Sequence, residues 1–343
     1  MTVSAIVLAA GKGTRMKSEL PKPLHQARGR SLLAWVIAAL EGVELDGIAV
    51  VVGHGRELLV DALSQSFERP FLFAEQLSQR GTGDAAAVGL AALDVHDNRF
   101  SDDDHVIIVA GDTPMLTAET VRALVASHLE SGAAATLVTA NLDDPTGYGR
   151  ILRTEGGGVS AIVEERDATA DQKPIQEINA GMYCFRRSLL GPALRLISTD
   201  NAQGEMYLTD AIGVLVDAGH PVVPFPADAN EIAGVNDREQ LTFAAGQLGD
   251  RIAEHHMRQG VTIVQPSSTV IDASVVIAPD VTIEAGTVLQ GATTIAAGAT
   301  IGPNSHLIDA TIGKHAVVES SKVRGASIAD DDVVGPFANI ASD

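Results

Sequence analysis

Between Ala10 and His25 the chain sets glycines among cations: Gly11 and Gly13 stand beside Lys12 and Arg15, with Lys17 and Lys22 close behind. Glycine admits left-handed backbone and lets peptide N–H groups approach a ligand closely, and the basic side chains supply positive charge. Residues 1–25 hold four basic residues against one acidic, Glu19, a net +3 in a chain whose formal net charge is −20. The apolar run before this loop, residues 5–10, is short enough for one buried strand, and α/β sheets bind their ligands beyond such strand ends. Two readings are open: a cradle for phosphates, or a solvated turn with ordinary surface lysines. The loop is neither of the two commonest phosphate motifs. It has no GxxxxGK[ST], and GxGxxG would need glycine at position 16, which is Met16.

Other polar residues stand at similar places. Asp112, in VIIVAGDTP, follows an apolar run and precedes a proline turn. A carboxylate there can hold Mg2+ against phosphates, or it can cap the turn. Asn236, in AGVNDR, either joins Asp112 as a metal partner or caps the helical stretch after it. Gln76 and the run Gln79-Arg80-Gly81-Thr82-Gly83-Asp84 lead into an alanine-rich segment. Glycines at a helix start expose N–H groups, and a glutamine amide both donates and accepts, as reading a base edge requires; otherwise the cluster is a surface loop. Glu164 and Asn179 end strand-like stretches near Thr146-Gly147-Tyr148-Gly149-Arg150. There they can exchange hydrogen bonds with sugar hydroxyls and an amide, or be plain strand-end residues.

The elements that position these groups alternate. Helical spacing predicts helices over 32–43, 57–63, 84–93 and 118–131, and apolar runs predict strands over 48–52, 71–74, 106–110 and 136–139. Strands alternating with helices imply βαβ units and a mostly parallel sheet. After Asn141 strands dominate (151–153, 159–163, 178–185), then helices return at 188–197 and 207–217, and 237–259 is one long amphipathic stretch closed by Gly260. From Ile277 the aliphatic residues Ile283, Leu289, Ile295, Ile301 and Leu307 recur every six positions; after Leu307 the spacing slips. Helices cannot keep period six, so this is a hexapeptide parallel β-helix with three repeats per triangular coil. The expected organisation is a domain over 1–236, a linker helix over 237–260 and the β-helix over 261–343.

Composition narrows the classes. The 343 residues suggest two domains, with 45 % hydrophobic residues for sizeable cores. Asp and Glu outnumber Lys and Arg 44 to 24, which argues against general affinity for nucleic acid or an anionic membrane. One cysteine, Cys184, rules out an internal disulfide and reads as an inert core thiol, in keeping with a reducing, cytoplasmic setting. No apolar run has the length of a membrane span, and no basic segment precedes the first apolar run as in a signal peptide. His54, His255 and His256 read as surface or core packing.

The motifs taken together carry a resemblance. LAAGKGTRM with Pro21-Lys22 resembles the signature of sugar-1-phosphate nucleotidyltransferases. GYGRI, IVEE, EINAG, NAQGEMYLTD and GVNDR, in that order and followed by a hexapeptide β-helix, resemble the bacterial bifunctional N-acetylglucosamine-1-phosphate uridyltransferase / glucosamine-1-phosphate acetyltransferase family. The resemblance spans essentially the whole chain and implies a Rossmann-like nucleotidyltransferase domain followed by a short left-handed parallel β-helix. It implies that Leu8, Ala9, Ala10, Gly11, Gln76, Gly81 and Thr82 surround the uridine of UTP. Arg15 and Lys22 would act on phosphates as catalytic residues, and Asp112 and Asn236 would hold Mg2+. Gly149, Glu164, Asn179 and again Asn236 would take the N-acetylglucosamine-1-phosphate. A homotrimer through the β-helix is implied too. The family's acetyl transfer uses coils beyond Val334–Ala338, which here are followed by only five residues, so that activity is expected only if the parent protein continues past residue 343. The rivals are another sugar nucleotidyltransferase, for ADP-glucose or GDP-mannose, and a non-catalytic homologue that kept the fold. A hexapeptide acyltransferase is disfavoured by the short β-helix.

Overall fold

The computed structural model describes residues 1–53, 55–96 and 101–342, so His54 lies outside the described residues. Contacts divide the chain into two compact units: Met1–His25 with Leu32–Arg238, and Gln26–Ser31 with Glu239–Asp343.

One mixed sheet organises the first unit. Its strands are β1 (Val3–Leu8), β2 (Ile48–Val52), β3 (Leu72–Glu75), β4 (His105–Ala110), β5 (Ala135–Asn141), β6 (Arg150–Arg153), β7 (Val159–Val163), β8 (Glu177–Arg186) and β9 (Val222–Pro226). They lie in the order β9-β5-β8-β4-β1-β2-β3, with β6 paired to β8 and β7. Strands β1 to β4 run parallel, β8 runs against both β4 and β5, and β9 is parallel to β5. Alternate side chains of each strand enter opposite cores. Val7, Val50 and Val109 pack on one face, and Ile6, Val51 and Ile108 on the other. A sheet buried on both faces needs continuous apolar strands, and this is why the first four strands read as unbroken apolar runs. The helices are α1 (Leu32–Leu40), α2 (Arg56–Ser66), α3 (Thr82–His96), α4 (Ala118–Ser131), α5 (Arg187–Leu196) and α6 (Asp210–Asp217).

The alternation of strand and helix follows the sequence reading, with two departures. β9 carries Pro224 and Pro226 and escapes a propensity reading; it sits at the sheet edge, where a missing N–H is tolerated. Asn179 does not end a strand. It is the third residue of the ten-residue β8, beside a register shift against β5 between Asn179 and Tyr183.

In the second unit the helix α7 (Arg238–Arg258) precedes three stacked sheets of two- and three-residue strands. Ile283 stands over Ile301, Leu289 over Leu307 and Ile277 over Ile295, all in parallel register. This is the left-handed parallel β-helix of hexapeptide repeats, and its stacked aliphatics form one core that includes Ala253 of α7. The slip after Leu307 leaves the stack intact: Leu307 pairs with Val323 and Ile312 with Ile328. Arg28, in the hairpin of Gln26–Ala27 and Arg30–Ser31, donates from Nε to the Ala245 carbonyl at 2.7 Å.

Two histidines, both buried, join β4, α4 and β5. His105 Nδ1 lies 3.0 Å from His128 Nε2, and His128 Nδ1 lies 2.8 Å from Thr136 Oγ1. Burial lowers both imidazoles, His128 from 6.5 to about 4, helped by the neighbouring His105. A lowered histidine leaves stability intact above its ordinary pKa and loses it as the unfolded chain takes up the proton. Thermal unfolding followed from pH 7.5 to 4 should therefore show a midpoint falling below pH 6.5, with about 3 kcal/mol at stake for His128. His128→Gln should flatten that stretch of the curve; an unchanged slope would remove His128 as its cause.

Candidate functional site

The glycine-rich loop leaves the sheet at Ala9, whose N–H still bonds the Val51 carbonyl at 2.9 Å. Gly13 holds φ 58°, and a Cβ there would run into the Lys22 side chain, so the loop folds back against its own far end. Buried Met16 anchors the turn Thr14–Met16, and buried Pro23 and Leu24 anchor the turn Lys22–Leu24. Lys22 is thereby fixed at its base. Its ammonium is ion-paired with Asp112 Oδ2 and lies 3.1 Å from Asn236 Oδ1. Asp112 follows β4, the direct neighbour of β1, and its carbonyl accepts the Val235 N–H at 2.8 Å. Three segments far apart in sequence thus meet at one cation.

Beside them opens a cleft of about 320 Å³. Leu8, Ala9, Ala10, Gly11, Lys22, Gln76, Gly81, Thr82 and Asp112 line it, together with Gln79 and Glu205. Gly81 has φ 111°, and a Cβ there would collide with the Met206 carbonyl. The backbone can therefore dock: Gly83 N–H to Met206 O at 2.8 Å, Met206 N–H to Arg80 O at 2.7 Å, and Leu208 N–H to Thr82 Oγ1 at 3.0 Å. The NAQGEMYLTD stretch, to which sequence reasoning gave no residue role, is the support on which this loop rests. Gln76 is 6 % exposed; its Nε2 donates to Asp84 Oδ2 at 2.8 Å and to Gly81 O at 3.1 Å. Gln79 Nε2 donates to the Ala10 carbonyl at 2.6 Å, tying the two loops together.

Gly149, Glu164 and Asn179 gather a short way along the sheet. A Cβ on Gly149 would lie 3.6 Å from Glu164 Oε2 and 3.7 Å from Asn179 Cβ. Asn179 N–H bonds the Gly149 carbonyl at 2.8 Å, and its Nδ2 donates to the Tyr183 hydroxyl at 2.7 Å. Glu164 Oε1 accepts from Thr209 Oγ1 at 3.0 Å. Burial raises the Glu164 carboxyl, against that hydroxyl bond, and the charges of Asp210 and Asp167 push the same way. Glu164 lines a second recess of about 400 Å³ with Asp167, Thr209 and Asp210. Burial also raises the Tyr148 hydroxyl, as does the charge of Asp112, against a hydrogen bond to the Gly234 backbone. Arg15 stands apart. It is exposed on the turn Thr14–Met16 and does not line the cleft.

Sequence reasoning gave no individual role to the residues that hold this arrangement. Thr209, Tyr183 and Asp84 are buried, and each meets a candidate ligand residue: Thr209 meets Glu164, Tyr183 meets Asn179 four residues back on β8, and Asp84 meets Gln76. Arg150 is 1 % exposed. Its guanidinium donates to the Tyr148 carbonyl, to Lys173 O at 3.2 Å and to Glu165 Oε2 at 2.6 Å, pinning the GYGR turn. Such contacts leave no periodic trace; a buried arginine beside two glycines was the only signal.

Asp112 and Asn236 turn carboxylate and carbonyl oxygens toward one point that already accommodates a cation, the Lys22 ammonium. Hard oxygen donors suit Mg2+, which takes one or two protein ligands and fills its shell with phosphates and water. Among the described residues no group of three or more His, Cys, Asp or Glu forms a protein-only metal cage. The donor set therefore fits a Mg2+ shared with a phosphorylated ligand.

Residues 5–223 match the MobA-like NTP transferase domain family. Fold and cleft thus define a nucleotidyltransferase. Within that class the chain belongs to the GlmU family. It is 47 % identical over 338 residues to the bifunctional protein GlmU of Mycolicibacterium vanbaalenii, covering 97 % of this chain and 68 % of that protein. It is 44 % identical to the namesake from Streptomyces avermitilis (98 % and 69 % covered) and 43 % identical to that of Pediococcus pentosaceus (99 % and 71 %). No helix among the described residues is long and apolar enough to cross a membrane.

Arg150→Met should lower the stability measured by urea unfolding by about 2–4 kcal/mol, because it leaves two carbonyls and Glu165 without their donor. Stability within about 0.5 kcal/mol of wild type, the range of ordinary surface substitutions, would show that Arg150 does not pin the turn.

Proposed function

We propose that the protein transfers the uridylyl group of UTP to N-acetylglucosamine-1-phosphate, releasing pyrophosphate and UDP-N-acetylglucosamine for cell-wall precursor synthesis. The observation that carries this reading is the meeting of Lys22, Asp112 and Asn236 at the edge of a cleft walled by Gln76, Gly81 and Thr82. Membership of the GlmU family supports it.

The nucleophile in this reaction is a phosphate oxygen, ionised at neutral pH, so no general base is needed. Catalysis rests on alignment and on cancelling negative charge as the α-phosphorus becomes five-coordinate. Lys22, partly buried and fixed at its base, exchanges Asp112 for the α-phosphate. Arg15 and Lys12, both exposed on the loop, neutralise the departing pyrophosphate, and N–H groups of Gly11–Thr14 complete the cradle. Asp112 and Asn236 would hold Mg2+, which when bound would supply neutralisation of phosphate negative charge. Leu8, Ala9, Ala10 and Gly11 flank the nucleoside opposite Gln76, Gly81 and Thr82. Gly149 leaves room for the sugar, while Glu164 accepts from its hydroxyls and Asn179 meets its amide. The same reading includes a cytoplasmic homotrimer associated through flat β-helix faces, which light scattering can weigh.

Pyrophosphate release from UTP, N-acetylglucosamine-1-phosphate and Mg2+ is the direct assay; silence there with turnover of another nucleotide and sugar pair would redirect the assignment. Asp112→Ala should abolish turnover with the fold intact by circular dichroism, and near-normal rates would end its metal role. Lys22→Ala should lower kcat about 10²–10³-fold, as loss of a donor to a transition-state charge does, with a much smaller rise in KM for UTP. An effect confined to KM would limit Lys22 to binding.

A further inference from the structure

Gln76 faces the cleft, and its orientation is not its own choice. Both of its amide hydrogens are taken: Asp84 Oδ2 accepts at 2.8 Å and the Gly81 carbonyl at 3.1 Å. Both partners are acceptors only. Turning the amide over would set its Oε1 against a carboxylate and a carbonyl, three acceptors with no proton among them. Asp84 is itself held. It lies in the first turn of α3, is 6 % exposed, and its Oδ1 accepts from Arg80 Nη2 at 2.6 Å. The group left to the cleft is therefore the Gln76 carbonyl oxygen, which accepts no hydrogen bond among the described residues.

We infer that Asp84 is the positioning residue that sets pyrimidine selectivity, by clamping the Gln76 amide so that only its carbonyl oxygen meets the base. This rests on the nucleotidyl-transfer reading and deepens it. A fixed acceptor pairs with the N3–H of uracil. It opposes the N3 lone pair of cytosine, and Gln76 cannot turn to satisfy that lone pair while Asp84 holds its amide. A buried polar contact left unmade shifts an equilibrium by roughly ten- to a hundredfold, which is the discrimination the clamp provides. Arg80 and the Gly81 carbonyl keep the clamp in register; Asp84 supplies the charge that makes it one-way.

The test is isothermal titration of UTP, CTP and 3-methyl-UTP, each with Mg2+, into the wild-type chain and into Asp84→Asn and Asp84→Glu. The wild type should bind UTP at least about tenfold tighter than CTP. It should also bind UTP tighter than 3-methyl-UTP, which lacks the N3 proton. In D84N the new side-chain amide can donate to a turned Gln76, so the UTP-to-CTP ratio should fall about tenfold, chiefly through tighter CTP binding. D84E keeps the carboxylate and should retain most of the ratio. If D84N does not fold by circular dichroism, Asp84→Ser removes the charge in a smaller side chain and should narrow the ratio in the same way. A D84N or D84S ratio equal to wild type overturns the inference, as does a wild type that binds UTP, CTP and 3-methyl-UTP alike. A wild type that binds none of the three overturns the transferase reading as well, so the two failures are distinct.

Discussion

The contact between Lys22 and the carboxylate of Asp112 decides where the working parts of the first unit meet. A lysine and an aspartate taken partly out of water are costly apart and compensate together when further hydrogen bonds are available. Asn236 supplies one of these at 3.1 Å. The pair draws the glycine loop, the end of β4 and the 234–236 segment to one point, and the sheet makes this possible. β1 and β4 are parallel neighbours with Leu8 opposite Ala110, so the residues that follow each strand emerge side by side. On the proposed reading, the cation for phosphate and the anion for metal would be kept as each other's partner until ligands replace both.

How much of this was legible depends on the range of the signal. The apolar runs of β1 to β4, the helical spacing in α1 and α4, and the period of six from Ile277 to Leu307 are local patterns, and the elements they announce are present. The loop at 11–22 and Asp112 stood out by composition. What composition could not convey is contact across the fold. Thr209 reaches Glu164, and Met206 receives Gly83, from a stretch more than a hundred residues past the GTG loop. β9 was hidden by its prolines, and Asn179 by a bulge that turns a strand interior into a site edge.

The β-helix shows the complementary case, in which a break in pattern is structurally silent. Leu307 to Ile312 is one residue short of the repeat, yet Ile312 still stacks on Ile295 and beneath Ile328. A coil of this kind fixes only the inward aliphatic positions and the strand pairs, because these hold the core and the backbone hydrogen bonds. The corner at Asp309-Ala310 absorbs the missing residue while the Asp309 N–H still bonds the Gln290 carbonyl at 3.2 Å and Ala310 stays buried in the core. The sequence pattern and the structural register therefore diverge where the physics allows it, at corners, and nowhere along the stacked faces.

The charge layout of the first unit adds a constraint that no single residue expresses. Lys12, Arg15, Lys17 and Lys22 crowd the loop after β1, whereas Glu164 shares its recess with Asp167 and Asp210, and their charges help keep its carboxyl raised. On the proposed reading, a phosphorylated sugar meeting this field would have one favoured orientation, with its phosphate toward Lys22 and its uncharged ring, whose hydroxyls donate to carboxylates, toward Glu164. A negatively charged sugar would be repelled at the second end however well its phosphate were held at the first. The acidity of the whole chain, at −20, then does not oppose an anionic substrate. It restricts where the negative charge of that substrate is allowed to lie, and that restriction is itself alignment for an in-line transfer.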